Sequence, residues 1–317
     1  IHTSSLQQWP RWFRRHPGRM LPFLPQAAEQ FDLSTYDIVI SSSSGFSKGV
    51  ITRSTIPHLC YCHTPTRYIW DASLRVVDQR SFVRPILRML FHWLRMIDFA
   101  AAQRPTAYIA NSHYTQQKIK TYYQKDSSVV YPPIDTNFFT PRSTSSAREY
   151  FLCVGRLTPE KKFDHAILVA EKLGLQLVIA GVGSDKSRLQ KLAGKHTRFA
   201  ENVSREELRD LYRNARALIQ PGIEDFGMTA AEALACGTPV IAFGMGGVVE
   251  IVRNGVHGIL YREQLPETLA EAIRNFIRIE RAFYPENLQK QASAFSVDRF
   301  RQGIAKEVEH LLQVRNT

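Results

Sequence analysis

No run of eighteen apolar residues occurs in this 317-residue chain, so the sequence offers no candidate for a membrane-crossing helix. Nor does it open with a charged start, an apolar middle and a small-residue cleavage site. Cysteine is scarce. The four are Cys60, Cys62, Cys153 and Cys236, and none has metal-ligand spacing. Three lie in or beside apolar runs and the fourth near a helix end, the pattern of buried, reduced thiols in a cytoplasmic protein. No Asp-x-Asp pair exists, which removes one acidic motif for bridging a metal to a diphosphate. No internal repeat or low-complexity tract is visible.

Negative charge is also short. Lys and Arg number 41 against 29 Asp and Glu, a formal net charge of +12. Residues 1–150 carry 18 of those cations against nine acids, and 14 of the 18 are Arg. They gather in Trp9–Arg19 and in Arg84–Asp98, interleaved with Trp and Phe. Arg84, Arg88 and Arg95 fall near one helical stripe, with Ile86, Leu87, Leu90, Phe91 and Leu94 around it. Such a pattern fits an anionic membrane surface or nucleic acid. It equally fits a core-facing helix with a solvated Arg face. Nothing resembles a nucleic-acid-binding module, so no nucleic-acid partner is expected.

What the chain does have is alternation. Its length exceeds what one core usually fills, so two domains are expected. Asp37–Ser41, Pro57–Tyr61, Ala107–Asn111 and Ser128–Tyr131 read as strands, with a helical stretch over Phe82–Ala102. After the polar segment Phe139–Glu149, strands recur at Phe151–Val154, Gln176–Ala180, Thr197–Ala200, Ala217–Gln220, Pro239–Ala242 and Gly258–Tyr261. Helices fill the gaps. This predicts an α/β architecture of doubly wound parallel sheets, with domains at 1–145 and 146–288 and a helical tail at 289–317.

Two stretches carry chemistry. In Gly222–Pro239, GIEDFGMTAAEALACGTP, Glu224 sits on a loop after a strand and Glu232 lies eight residues on, in a helix. Carboxylates there suit a ligand rich in hydroxyls, and Gly227 lets backbone N–H groups approach it. Thr229-x-x-Glu232 also reads as a capping box, which would explain Glu232 without any ligand. In Tyr150–Leu173, YFLCVGRLTPEKKFDHAILVAEKL, Gly155 ends a strand and Arg156, Lys161 and Lys162 follow before a helix. Cations crowded at a helix N-terminus make sense around an anion such as a diphosphate. A basic surface loop is the alternative.

Together, GRLTPEKK, EDFGMTAAEALACGTPVIA and GMGGVVEIVRNGVHGIL resemble the retaining glycosyltransferases of family 4. YCHTPTRYIWD (Tyr61–Asp71) and ANSHYTQQKI (Ala110–Ile119) resemble their mannosyltransferase branch. The resemblance runs from about residue 30 to about residue 300. It implies the GT-B fold, two Rossmann-like domains facing a cleft, with the tail crossing back to the first. It also implies that the first domain lacks its opening strand and glycine-rich turn, so that the chain reads as a fragment.

By that resemblance Arg156 and Lys161 hold the donor diphosphate, Glu224 meets the donor sugar and Glu232 the ribose. Backbone around Phe226, Gly227, Met228 and Thr229 binds sugar hydroxyls, and His63 lies near the reacting carbon. Arg67 and Asp71 are weaker acceptor-side candidates. Lys162 stands where the family often has glycine. The implied reaction moves a sugar from a nucleotide diphosphate to a glycan or lipid-linked hydroxyl, with retention, no metal and no cofactor. GDP-mannose is the first expectation and a UDP-sugar the second, with base choice near Asn202-Val203-Ser204. Expected placement is cytoplasmic, with peripheral contact at an anionic membrane face. The competing readings are a non-catalytic basic protein that binds anionic lipid or another polyanion, an inactive fragment that only binds nucleotide, and a sugar-nucleotide epimerase.

Overall fold

The computed structural model describes residues 1–14, 20–71, 84–142 and 148–316. Residues 15–19 of the first basic cluster and 143–147 of the polar segment lie outside them. The chain divides into two compact units, Ile1–Val130 with Gly303–Thr317, and Tyr131–Gln302. The division falls at Val130/Tyr131, earlier in sequence than the polar segment read as the boundary.

In the first unit, four parallel strands run in the order β1 (Val39–Ser43), β2 (His58–Cys62), β3 (Ala107–Ala110) and β4 (Ser128–Val129). β2 is buried along its whole length, whereas β1 alternates buried and exposed residues. Helix α1 (Arg84–Ala102) follows β2, and α2 (His113–Tyr123) follows β3. Ser112 caps α2 by accepting the Thr115 N–H.

α1 corrects one expectation. Phe91, Leu94 and Asp98 face inward, and Arg88 is exposed, but Arg95 is half-buried and donates to the Ile69 carbonyl. The outer face is instead apolar: Ile86, Met89, Trp93, Met96 and Ile97 are 39–64% exposed.

The second unit holds six parallel strands: β5 (Tyr150–Val154), β6 (Leu177–Ala180), β7 (Thr197–Ala200), β8 (Ala215–Gln220), β9 (Val240–Phe243) and β10 (Gly258–Tyr261). Their order is β10-β9-β8-β5-β6-β7, so the winding reverses between β5 and β8. Period-two alternation builds both faces. Leu152, Val178 and Leu218 join one buried cluster, while Phe151, Cys153, Ile179 and Ile219 join the other. A parallel sheet covered on both sides explains why these strands read as continuous apolar runs.

Helices α3 (Phe163–Leu173), α4 (Arg205–Asn214) and α5 (Met228–Ala235) flank this sheet. Helix α6 (Val297–Asn316) begins in the second unit and ends in the first. No described helix is long and apolar enough to cross a membrane. No disulfide joins the four cysteines, all of which are buried.

Candidate functional site

In open doubly wound sheets, ligands sit beyond the carboxyl ends of the strands where the winding reverses. In the second unit those ends belong to β5 and β8. The loop after β5 carries Arg156, Lys161 and Lys162, and the loop after β8 carries Glu224. The structure joins the two loops directly: Lys161 Nζ is ion-paired and hydrogen-bonded to Glu224 Oε1, the two side chains being 15% and 19% exposed.

Backbone approach makes this pairing possible. A Cβ at Gly222 would lie 2.7 Å from the Glu160 carbonyl oxygen and 2.9 Å from Lys161 Cα. Only glycine lets the loops meet this closely. On its other side Glu224 accepts the Gly247 N–H at 2.9 Å through its carbonyl.

The three cations do not share one helix end. Arg156 is exposed, and among the described residues its guanidinium makes no ion pair or hydrogen bond. Lys161 closes a short 3-10 turn, Pro159–Lys161. Lys162 is the N-cap of α3 at φ 55°, in the left-handed region that glycine favours.

Gly227 at φ 109° is the N-cap of α5, and its carbonyl accepts the Ala230 and Ala231 N–H groups. Thr229 is therefore inside the helix and the anticipated capping box does not form. Glu232 instead accepts the Tyr212 hydroxyl at 2.8 Å. Burial pushes the Glu232 carboxyl above its ordinary value, and the Tyr212 hydrogen bond opposes that rise. Phe226 is buried between the rings of Tyr131 and Phe295, so only its backbone is available to a ligand. Met228 is 47% exposed and Thr229 half-buried.

Gln220, at the end of β8, was not singled out from the sequence. Its side chain is 5% exposed, neither amide atom has a partner among the described residues, and its nitrogen would lie 3.4 Å from a Cβ at Gly227. Nothing in the residue string distinguishes it from any strand-end glutamine.

His63, Arg67 and Asp71 belong to the first unit. His63 follows β2, and its ring Nε2 lies 2.8 Å from Ser42 Oγ, in hydrogen-bond contact. Its backbone N–H donates to Ser43 O at 2.8 Å, and its carbonyl accepts from Asn111 Nδ2 at 2.9 Å. Burial holds the imidazole below its ordinary pKa, so the neutral ring is favoured. Arg67 opens the short helix Arg67–Trp70. Asp71 is held by Lys118 Nζ at 2.5 Å and the Tyr122 hydroxyl at 3.0 Å, both from α2. Among the described residues no group of three or more His, Cys, Asp or Glu side chains is arranged to hold a metal.

Comparison with known families assigns this architecture. The model described as "Glycosyl transferases group 1" matches residues 136–295, half of the chain. The chain belongs to this family. A second model, "Glycosyltransferase Family 4", matches residues 2–138. Thus the group 1 domain coincides with the sheet that carries Lys161 and Glu224.

Among curated relatives, the D-inositol 3-phosphate glycosyltransferase of Mycolicibacterium smegmatis is 35% identical over 176 residues, 48% of this chain and 41% of its own length. An uncharacterised glycosyltransferase of Methanocaldococcus jannaschii is 33% identical over 144 residues, 42% of this chain and 37% of its own. The chain thus spans less than half the length of these relatives. Neither is named as a mannosyltransferase.

Sucrose-phosphate synthase from Thermosynechococcus elongatus superposes with a TM-score of 0.73 at 19% identity, over 99% of this chain and 83% of its own. Anabaena HepE, solved with UDP and glucose, gives 0.64 at 18% identity, over 95% and 83%. The group 1 chain therefore has the GT-B fold.

Proposed function

We propose that this chain transfers a hexose from a nucleotide diphosphate donor to a hydroxyl of a glycan or lipid-linked acceptor, with retention and without a metal. The observation that carries the reading is the Lys161–Glu224 pair at the ends of the two strands where the winding reverses. A cation for a diphosphate and a carboxylate for a sugar hydroxyl are held side by side there. On the same loop, Arg156 adds a guanidinium with no partner among the described residues.

In this reading the bond from the anomeric carbon to the diphosphate breaks and its electron pair leaves on the diphosphate, while the acceptor hydroxyl oxygen bonds to that carbon and its proton passes to the departing diphosphate. Arg156 and Lys161 stabilise the charge that develops on that leaving group. Glu224 accepts from hydroxyls of the donor sugar, and the backbone of Phe226–Met228 at the start of α5 donates to the same ligand. Glu232 accepts from the ribose. His63 works as a neutral ring near the reacting carbon, and Arg67 and Asp71 serve the acceptor side. GDP-mannose is the first donor to test, from the HTPTRYIWD resemblance. UDP-sugars are the second, supported by the UDP and glucose bound to HepE.

The apolar outer face of α1, with exposed Arg88 and His92 beside Trp93, supports peripheral contact with an anionic bilayer. Co-sedimentation with vesicles containing phosphatidylglycerol, compared between wild type and Trp93→Ser, tests that contact.

The donor reading is tested by calorimetry with GDP, UDP, GDP-mannose and UDP-glucose. Saturable binding that weakens about tenfold to a hundredfold in Arg156→Ala supports it. Heat only with a polyanion such as polyphosphate favours the non-catalytic basic protein.

A further inference from the structure

We propose that Lys48 and Asp98 form a buried clasp that positions His63; this rests on His63 being the first unit's reactive-site residue. Lys48 and Asp98 are 1% and 0% exposed and lie 2.5 Å apart. They are far apart in sequence, on the turn Ser47–Gly49 and on α1. No motif at either position announces them.

Asp98 is fully engaged. Its Oδ1 accepts from Lys48 and from Thr66 Oγ1 at 2.7 Å. Its Oδ2 accepts from Trp70 Nε1 and from the Tyr123 hydroxyl, each at 2.8 Å. Lys48 Nζ also donates to the Gly45 carbonyl at 2.6 Å and to Thr66 Oγ1 at 3.2 Å. The Tyr123 ring lies 5.0 Å from that ammonium, and the Tyr123 hydroxyl accepts the Thr66 N–H at 3.1 Å.

These contacts bind two loops, one after β1 and one after β2, and His63 lies between them. At the end of β1, just before the first loop, Ser42 Oγ touches the imidazole and the Ser43 carbonyl accepts the His63 N–H. Gly45 and Lys48 follow on that loop. From the second, Thr66 stands three residues past His63. The clasp therefore holds the loop that leaves β1 directly after Ser42 and Ser43, tied back to them through Ser47 and Gly45, and the segment that follows His63.

A buried ion pair is a poor way to gain stability, because desolvation offsets the attraction. An apolar pair would fill the same space at no loss. What charge and four directed hydrogen bonds supply is one loop geometry. Displacement of a reacting group by about 1 Å can cost about a hundredfold in rate.

The experiment uses the full chain as Lys48→Met/Asp98→Asn, which removes both charges and leaves an amide to serve Trp70 and Tyr123. A second variant, Thr66→Val, keeps the ion pair and removes the direct hydroxyl link from the clasp to the loop after β2, leaving the Thr66 N–H on Tyr123. Three quantities are read: melting temperature, the nitrogen shifts of the His63 ring in histidine-labelled protein, and nucleoside diphosphate release from GDP-mannose and UDP-glucose. The His63 signal is assigned with His63→Gln.

The expected result is melting close to wild type, an altered His63 tautomer signal, and kcat down about tenfold to a hundredfold with donor KM within about twofold. A His63 signal unchanged in Thr66→Val, whether or not the double variant folds, overturns the clasp. If wild type releases diphosphate from neither donor, the transferase reading fails, while the ring signal still decides whether the clasp positions His63.

Discussion

Lys161 and Glu224, 63 residues apart in sequence, are bound to each other in the second unit. Each was expected to meet a different part of the donor. Their pairing means that neither group awaits a ligand as a bare charge, and that a substitution in one strands the other.

Arg156 and Lys161 should therefore behave differently. Arg156→Ala removes an exposed guanidinium with no partner among the described residues. Calorimetry should show donor affinity down about tenfold to a hundredfold, the equivalent of about 1.5–3 kcal/mol for a charged contact, with melting unchanged. Lys161→Ala should lower both affinity and melting temperature, because Glu224 is left without its partner. Equal melting in the two variants would sink this distinction.

Glu232 gives a pH-dependent test. Its folded pKa is raised above the ordinary 4.5. The folded state then holds the proton more tightly, so this group's contribution favours folding at low pH and is lost as pH rises through the raised value. Glu232→Gln is neutral throughout. It should melt higher than wild type at neutral pH, the gap closing as pH falls from the raised value toward 4.5, while nucleotide affinity drops. Scanning fluorimetry across this range, with calorimetry for affinity, provides the check.

His58 sets the acid limit of the first unit. It is fully buried, and burial holds its pKa down at about 4, against 6.5 ordinarily. Here the unfolded state binds the proton more readily, so stability is full above 6.5 and declines as pH falls toward about 4. His58→Asn should flatten that decline, measured as melting temperature against pH. A wild-type curve level across the window would contradict the assignment.

Lys162 tests backbone strain. A non-glycine residue in the left-handed region costs about 1–2 kcal/mol, and a β-branched one is worse placed still. Lys162→Val should destabilise by about that amount, and Lys162→Gly should match wild type or exceed it. Neither should change donor affinity if the lysine side chain is not part of the clamp.

Metal independence is checked by chelation. In the proposed mechanism Arg156 and Lys161 supply the positive charge that a metal would bring. Transfer should continue in excess EDTA. Loss that returns on adding a divalent cation would refute the proposed mechanism.

The ten strands among the described residues were legible from the sequence to within two residues at each end, most of them because central parallel strands covered on both faces read as apolar runs, and β1 through its alternation. Gly155, Gly227 and the acid positions were legible too, since special backbone geometry and charge beside a strand end leave marks in the residue string. Lys162 at a glycine position was a visible oddity, and its left-handed backbone shows why glycine suits that position.

Other features depend on how distant segments fold together. The sequence allowed Thr229 and Glu232 to form a capping box; packing of α4 against α5 gave Glu232 to Tyr212 instead. It placed Arg95 on a basic stripe, and the tertiary fold turned it toward the Ile69 carbonyl. It gave no sign of Lys48 with Asp98, of orphaned Gln220, or of Lys161 held by Glu224. Local periodicity and turn chemistry are written within a few neighbouring residues, and so the sequence by itself determined the elements and the family. Which charges meet depends on loops brought together by strands up to dozens of residues apart, and only the tertiary structure decided that.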